Sequence, residues 1–462
     1  MFVHIGNNHM IPTGASTVFD SLLFRDTFGT PAMREIFSDA SLIGKYIAIE
    51  IALAKAQSRL GVIPATSAAE IESRIKFEQL DFERLKHETE NVGYPILPLV
   101  TQLVEQCGEA GKYIHWGATT QDIMDTANAL QIKEALALVE ADIRALRKTL
   151  QDLASAHKHT PMAGRTHLQQ ALPITFGYKC AIWLAMFDRH EQRLRELRPR
   201  VEVGELAGAA GTLASLGDRG LEVQAEMMRE LGLGVPVTTW HVARDHFAET
   251  LNFLALVTGS LGKIALDIML MASTEYAEVY EPFVKGRGAS STMPQKRNPI
   301  SSEIMLACAK GVRQHAGLML DAMIQDFERA TGPWHAEWIA IPESFMLTAS
   351  ALHQARFALG GLEVDAEQMQ KNLGISKGLI VAESVMMALA PHLGKHQAHE
   401  VVYDACRKVN SGDQTLAEVL METREVTEHL SDEQIQTLTN PANYLGQAPN
   451  MVANALNASA QI

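Results

Sequence analysis

Long runs of helical apolar periodicity fill the middle of this 462-residue chain and leave few possible architectures. Val139, Ile143, Leu146, Leu150 and Leu153 step by four and three, the spacing of a seam against another long helix. The pattern predicts a helix from about Ile123 to His157. A second follows Pro173 and lasts to about Arg198. A third runs from about Trp240 to Tyr280, with Leu251, Leu254, Leu261, Ala265 and Ile268 in heptad-like spacing. A fourth covers about Ser301 to Phe327, and residues 343–360 add a fifth. Helices of about 25 to 40 residues span roughly 40–60 Å. One small globule does not bury such lengths, so a bundle shared between subunits is expected.

Shorter patterns flank these helices. Three domains are predicted: short helices over 1–112, a central long-helix bundle over 113–362, and a small helical domain over 363–462. Ser38-Asp39-Ala40 marks one helix start and Gly61 its stop, while Pro64 and Thr66 open the next. His87 to Pro95 reads as a polar break before the apolar run Ile96–Val104. No β-hairpin, βαβ unit or internal repeat is evident. The small residues between Gly204 and Gly220 mark close packing, since no strand precedes them as a nucleotide fingerprint requires.

Composition limits the partners. The formal charge of −14 argues against nucleic acid or an anionic membrane as the main partner. Cys107, Cys180, Cys308 and Cys406 form no CxxC, and three of them lie in apolar helical patterns as buried thiols. The start, MFVHIGNNHM, lacks the regions of a signal peptide, and the apolar stretch near Leu251–Ala272 contains Lys263 and Asp267. A cytoplasmic location is the expectation.

The informative segments are the breaks between long helices. Tyr113–Asp122 reads YIHWGATTQD, with hydroxyls at Thr119 and Thr120 and an amide at Gln121. Thr160–His167 ends in Thr166-His167. Gly286–Glu303 reads GRGASSTMPQKRNPISSE and combines small residues with hydroxyls at Ser290 and Ser291, a cation at Lys296 and a carboxamide at Asn298. Helix N-termini favour anions, and histidine suits proton transfer near neutral pH. Those parts can hold a carboxylate and move a proton beside it. An ordinary interhelical loop is the plain alternative.

GRGASSTMPQKRNP resembles the fumarase/aspartase superfamily signature GSSxMPxKxNP, departing only at Ala289. The other two breaks resemble the superfamily's remaining motif regions in order and spacing, so the resemblance covers essentially the whole chain. It implies an all-α, three-domain fold whose long helices form a 20-helix core in a homotetramer. Each active site would take one motif region from each of three subunits. It also implies chemistry on a small di- or tricarboxylate with no cofactor: a base removes the proton α to a carboxylate, and the resulting aci-carboxylate expels a leaving group.

Carried over by position, Ser290 is the base, with adjacent Ser291 the alternative. Lys296 and Asn298 hold the carboxylate where negative charge grows. Glu303 occupies the position that pairs with the histidine of the second region, and His167 is the acid or an anion binder. Thr119, Thr120, Gln121 and Thr166 hold carboxylate oxygens. Taken alone, Glu303 is a first-turn helix acid and His167 a structural histidine. His87 reads equally as a substrate-facing acid or a solvated histidine. His241 with His246, and His396 with His399, are poor ligand sets, and no metal is expected.

Within the superfamily, Thr30–Asp39, Tyr94–Val100 and Gly332–Trp338 resemble the 3-carboxy-cis,cis-muconate cycloisomerase branch. The stretch after Trp334 lacks the Arg-Asp-Ile-Ser-His pattern of adenylosuccinate lyases. The cycloisomerase pattern has Trp at the position of His167, whereas a histidine there resembles the C–N eliminating enzymes. The chain is therefore read as acting on an amino- or imino-linked dicarboxylate, by elimination to fumarate or by epimerisation. Lactonisation of 3-carboxymuconate is the rival, followed by adenylosuccinate lyase activity or a catalytically silent structural protein.

Overall fold

The computed structural model describes residues 2–5, 9–12, 16–329 and 331–462. Five long helices dominate: α1 Thr120–Ala156, α2 Phe176–Val201, α3 Asp245–Met271, α4 Ile300–Ala322 and α5 Pro333–Gly360. The seam residues Val139, Ile143, Leu146 and Leu150 of α1 are buried, as their spacing requires. The contacts of the chain define two compact units. One comprises Met1–Asp142, His190–Gly259 and Ala307–His353; the other comprises Ile143–Arg189, Ser260–Leu306 and Gln354–Ile462. The division falls within all five long helices.

In the first unit, Ile49, Leu53, Leu99, Leu103, Ile123 and Met227 share one apolar core. The helix Asp39–Arg59 begins where Ser38 accepts a hydrogen bond from the Ser41 amide. The small residues near Gly204 do pack closely: an added Cβ at Gly208 would lie 3.2 Å from the Gly117 carbonyl. In the second unit, Val385, Leu389, Ala398, Leu416 and Leu420 form a separate core.

Several boundaries differ from expectation for local reasons. His87 lies inside a helix, Phe82–Val92, not in a break. Asp81 caps that helix, and the Arg84–Glu88 and Lys86–Glu90 pairs support its polar surface at i,i+4. α3 starts five residues after Trp240 because the Trp240 amide is bound by Glu205 and the His241 ring by Asp122. α5 starts ten residues before 343, with Pro333 at its first position and Pro342 inside it.

The absence of hairpins was the wrong expectation. Three two-stranded antiparallel ribbons are present among the described residues. They pair Phe2–Ile5 with His9–Pro12, β1 Pro161–Thr166 with β2 Gln169–Thr175, and Val279–Tyr280 with Glu363–Val364. Prolines at 161 and 173 and a register shift between Ala163 and Arg165 hide the period-two pattern of β1 and β2. The architecture remains that of an all-α protein.

α3 is long and apolar enough to cross a membrane by length and composition. Leu251, Leu254, Leu261 and Ile268 of this helix are buried, while Leu256, Leu266 and Leu270 are exposed.

Candidate active site

The third break is a loop clamped at its base and open at its tip. Ala289 pairs with Arg297, and the Asn298 amide donates to the Gly288 carbonyl at 3.1 Å. Gly288 has φ +67, and a Cβ there would sit 2.5 Å from the Asn298 carbonyl, so the closure requires glycine. Arg287 reaches the Ser301 hydroxyl and the Gln354 side chain, and its guanidinium lies over the Phe357 ring. Arg297 bonds the Glu363 carboxylate and the Glu281 carbonyl. Glu281 in turn accepts from the Ser301 and Ser302 amides and binds the first turn of α4.

Beyond this clamp, Ser290 Oγ accepts hydrogen bonds from the Met293 amide at 3.0 Å and the Thr292 amide at 3.3 Å. Two amide dipoles aimed at one hydroxyl oxygen stabilise negative charge on it, the condition for a serine to act as a base. Ser291 has no such bonds among the described residues and is exposed, so the geometry distinguishes the adjacent serines. Lys296 is exposed on the same tip, and Asn298 is half-buried at its foot. Glu303 is exposed in the first turn of α4.

His167 sits at the tip of the β1–β2 hairpin. Thr166 pairs with Gln169, so His167 and Leu168 are the two turn residues. Their φ values are 51° and 63°, both left-handed, which makes this a type I′ turn built without glycine. Left-handed non-glycine residues each cost about 1–2 kcal/mol. The hairpin base is tied down by Arg165, which forms two bonds to the buried Glu278 carboxylate and lies over the Tyr276 ring. Thr166 and His167 are thus presented to solvent on a rigid stem. Among the described residues, no hydrogen bond or ion pair joins His167 to Glu303, Ser290 or Lys296.

The first break lies in the first compact unit, and all the residues above lie in the second. Thr120 opens α1, a helix N-terminus suited to an anion. The Thr119 amide donates to Asp122 at 2.9 Å, and its hydroxyl accepts from Arg329 at 3.0 Å. Gln121 faces inward and is 1% exposed. Its amide nitrogen, the donor a carboxylate would need, bonds Asp125 at 3.0 Å and the His241 carbonyl at 2.8 Å. Gln121 therefore braces the turn and does not offer a donor to substrate, contrary to its sequence assignment.

Two candidates escaped the sequence reading. Arg329 lies three residues before the recognised Gly332-Pro-Trp-His segment, and only folding brings it to Thr119. His115, at φ 60, bonds the buried Glu50 carboxylate at 2.7 Å. Burial works against its charged form, but Glu50 outweighs burial and raises its pKa. The His115 imidazole, its pKa raised by Glu50, and the Arg329 guanidinium thus flank the Thr119–Thr120 turn.

One group of three metal-type ligands occurs among the described residues: Asp122, Glu205 and His241. Asp122 already accepts four hydrogen bonds, from Ala207, Gly208, Thr119 and His241. These fill the acceptor sites of a carboxylate, so the set does not fit a metal ion.

A predominantly helical chain with a clamped serine loop, a histidine hairpin and a threonine turn at a helix N-terminus defines a lyase-type enzyme. Residues 25–313 match the family described as lyase, and residues 378–455 match adenylosuccinate lyase C-terminus. The chain belongs to this lyase family, within the fumarase/aspartase superfamily. It is 47% identical to trans-aconitate decarboxylase 1 of Mycosarcoma maydis, covering 96% of this chain and 90% of that one. It is 45% identical to a 3-carboxy-cis,cis-muconate cycloisomerase of Pseudomonas aeruginosa, covering 94% and 95%. The crystal structure of a fumarate lyase from Mesorhizobium sp. BNC1 superposes with a TM-score of 0.89 at 56% identity, covering 93% and 98%.

Proposed function

We propose that this enzyme removes the proton α to a carboxylate of an amino- or imino-linked dicarboxylate, giving β-elimination to fumarate or epimerisation. The observation that carries this is Ser290 Oγ held on the Thr292 and Met293 amides. Ser290 takes the α-proton, and the C–H electron pair moves onto the carboxylate, where Lys296 and Asn298 receive the charge. In elimination, collapse of this aci-carboxylate forms the C=C bond and breaks the C–N bond. The departing nitrogen takes its proton from His167, which Glu303 orients. In epimerisation, the proton returns on the opposite face. Thr119, Thr120 and Arg329 hold the second carboxylate.

The site is assembled from three subunits of a tetramer. Supporting this, Lys296 at the loop tip and Thr166 and His167 at the hairpin tip are exposed, Ser290, Thr119 and Thr120 are half-buried, and Leu256, Leu266 and Leu270 leave an apolar face on α3. The test is a panel of N-substituted aspartates, with fumarate absorbance as readout and mirror-image product analysis for epimerisation. Consumption of 3-carboxymuconate alone would replace this proposal with lactonisation, the reading favoured by the cycloisomerase relative. Sedimentation should show a tetramer. Mixing inactive Ser290→Ala and His167→Gln chains should restore part of the activity.

A further inference from the structure

Behind Thr119 lies a buried cluster that the chemistry above leaves unused. Asp122, Glu205 and His241 are at most 1% exposed, and one ligand-type atom of each lies within 4.8 Å of the others. Asp122 Oδ1 accepts from the Ala207 amide at 2.9 Å and from His241 Nε2 at 2.8 Å. Its Oδ2 accepts from the Thr119 amide at 2.9 Å and the Gly208 amide at 3.0 Å. With three backbone amides already donating to the Asp122 oxygens, the His241 contact is read with the N–H on Nε2.

Two atoms of the cluster have no partner among the described residues: His241 Nδ1 and Glu205 Oε1. Such orphans are costly in a dry interior. Glu205 is not free to leave. Its Oε2 accepts from the Trp240 amide at 2.6 Å, and its backbone exchanges two hydrogen bonds with the Thr126 hydroxyl on α1. Burial pushes the Glu205 carboxyl up to about 7; His241 and the Trp240 amide pull it down, while Asp122 and Asp125 push it further up. The charged surroundings are few. α1 supplies Asp122 and Asp125, and the segment before α3 supplies His241 and Arg244. α5 supplies Glu337 beyond Arg244, and the turn before α1 supplies His115 with its partner Glu50.

We propose that Glu205 and His241 are positioning residues that share one proton, and that this proton keeps Asp122 fixed on the Thr119 amide and so holds the Thr119–Thr120 anion site in shape. The two atoms are not hydrogen-bonded to each other, so the proton passes between Glu205 Oε1 and His241 Nδ1 through one buried water. Its loss leaves two carboxylates against a neutral imidazole in a space shut off from bulk solvent. Their repulsion acts on Asp122, the residue that fixes Thr119, and the added charge opposes an incoming carboxylate. The idea rests on Thr119 and Thr120 binding a carboxylate, as proposed above.

The test combines infrared spectroscopy and calorimetry on the intact enzyme, wild type and Glu205→Gln, from about pH 6 to about pH 9. The wild type should show the carbonyl stretch of a neutral carboxylic acid that fades with rising pH, and Glu205→Gln should lack it. Fumarate, used as the probe dicarboxylate, should lose about tenfold in affinity across this range with wild type and less than about twofold with Glu205→Gln. A band that persists in Glu205→Gln, or parallel affinity slopes in the two proteins, overturns the proposal. If Glu205→Gln does not fold, infrared titration of wild type labelled with ¹³C-glutamate decides by whether a neutral glutamic acid is present. If fumarate binds neither protein, the carboxylate assignment of Thr119 fails, while the band still decides whether the proton is shared.

Discussion

Arg329 donates a hydrogen bond to the hydroxyl of Thr119 at 3.0 Å, across 210 positions of sequence. The same guanidinium bonds the Ala209 carbonyl at 2.8 Å, which fixes its plane beside the N-terminus of α1. Arg329→Met removes one charge-assisted donor from that anion site. Such bonds contribute about 1.5–3 kcal/mol, so KM for a dicarboxylate should rise roughly 10- to 100-fold. kcat should change far less if Arg329 holds the carboxylate remote from the reacting carbon, as proposed. Steady-state kinetics that show an equal loss in kcat would place Arg329 in the chemical step instead.

Ser290 and Ser291 differ in what their hydroxyls meet. Ser290→Ala should lower kcat by about 10³-fold or more, the order expected for loss of the proton-abstracting group. Ser291→Ala should stay within about tenfold of wild type. Solvent exchange of the substrate α-hydrogen, followed by NMR, reads the proton step directly. Unchanged exchange in Ser290→Ala would remove that residue from the role.

Arg244 is fully buried between two carboxylates, with two bonds to Asp125 and two to Glu337. Asp125 is also bound by Gln121 and the Trp334 indole. Arg244→Met leaves two buried anions without their counter-ion and should cost about 3–5 kcal/mol. Chemical denaturation measures it. The double change Arg244→Met with Glu337→Leu should recover part of that loss.

His246 packs edge-on against the Trp240 ring, and its Nε2 is buried without a partner among the described residues. Burial and the Arg244 guanidinium depress its pKa from the ordinary 6.5 to about 4. The folded state therefore keeps the ring neutral while the unfolded chain protonates it. Its stabilising contribution is complete above about 6.5 and is lost as pH falls from there through about 4. The whole shift corresponds to about 3 kcal/mol. Urea midpoints measured across this window should fall less steeply in His246→Phe than in wild type. Parallel curves would show that other groups carry the acid sensitivity.

Much of this was readable from local pattern. The seam of α1 is a matter of apolar spacing, and helical spacing survives any tertiary context that buries one face. Ser38 capping a helix and the small-residue run near Gly208 packing tightly follow from the chemistry of single residues. The histidine hairpin was hidden because prolines and a bulge erase strand alternation. The helix containing His87 was hidden because ion pairs, not apolar spacing, support it.

The sequence by itself determined which residue types stand at the three breaks: a serine loop closed by Gly288, a histidine after Thr166, and threonines at the head of α1. Tertiary structure alone decided their orientation. Gln121 turns inward because Asp125 and the His241 carbonyl claim its amide, and Arg329 meets Thr119 across 210 positions. Each of these depends on a partner whose direction is set by folding, and direction is what linear spacing does not carry.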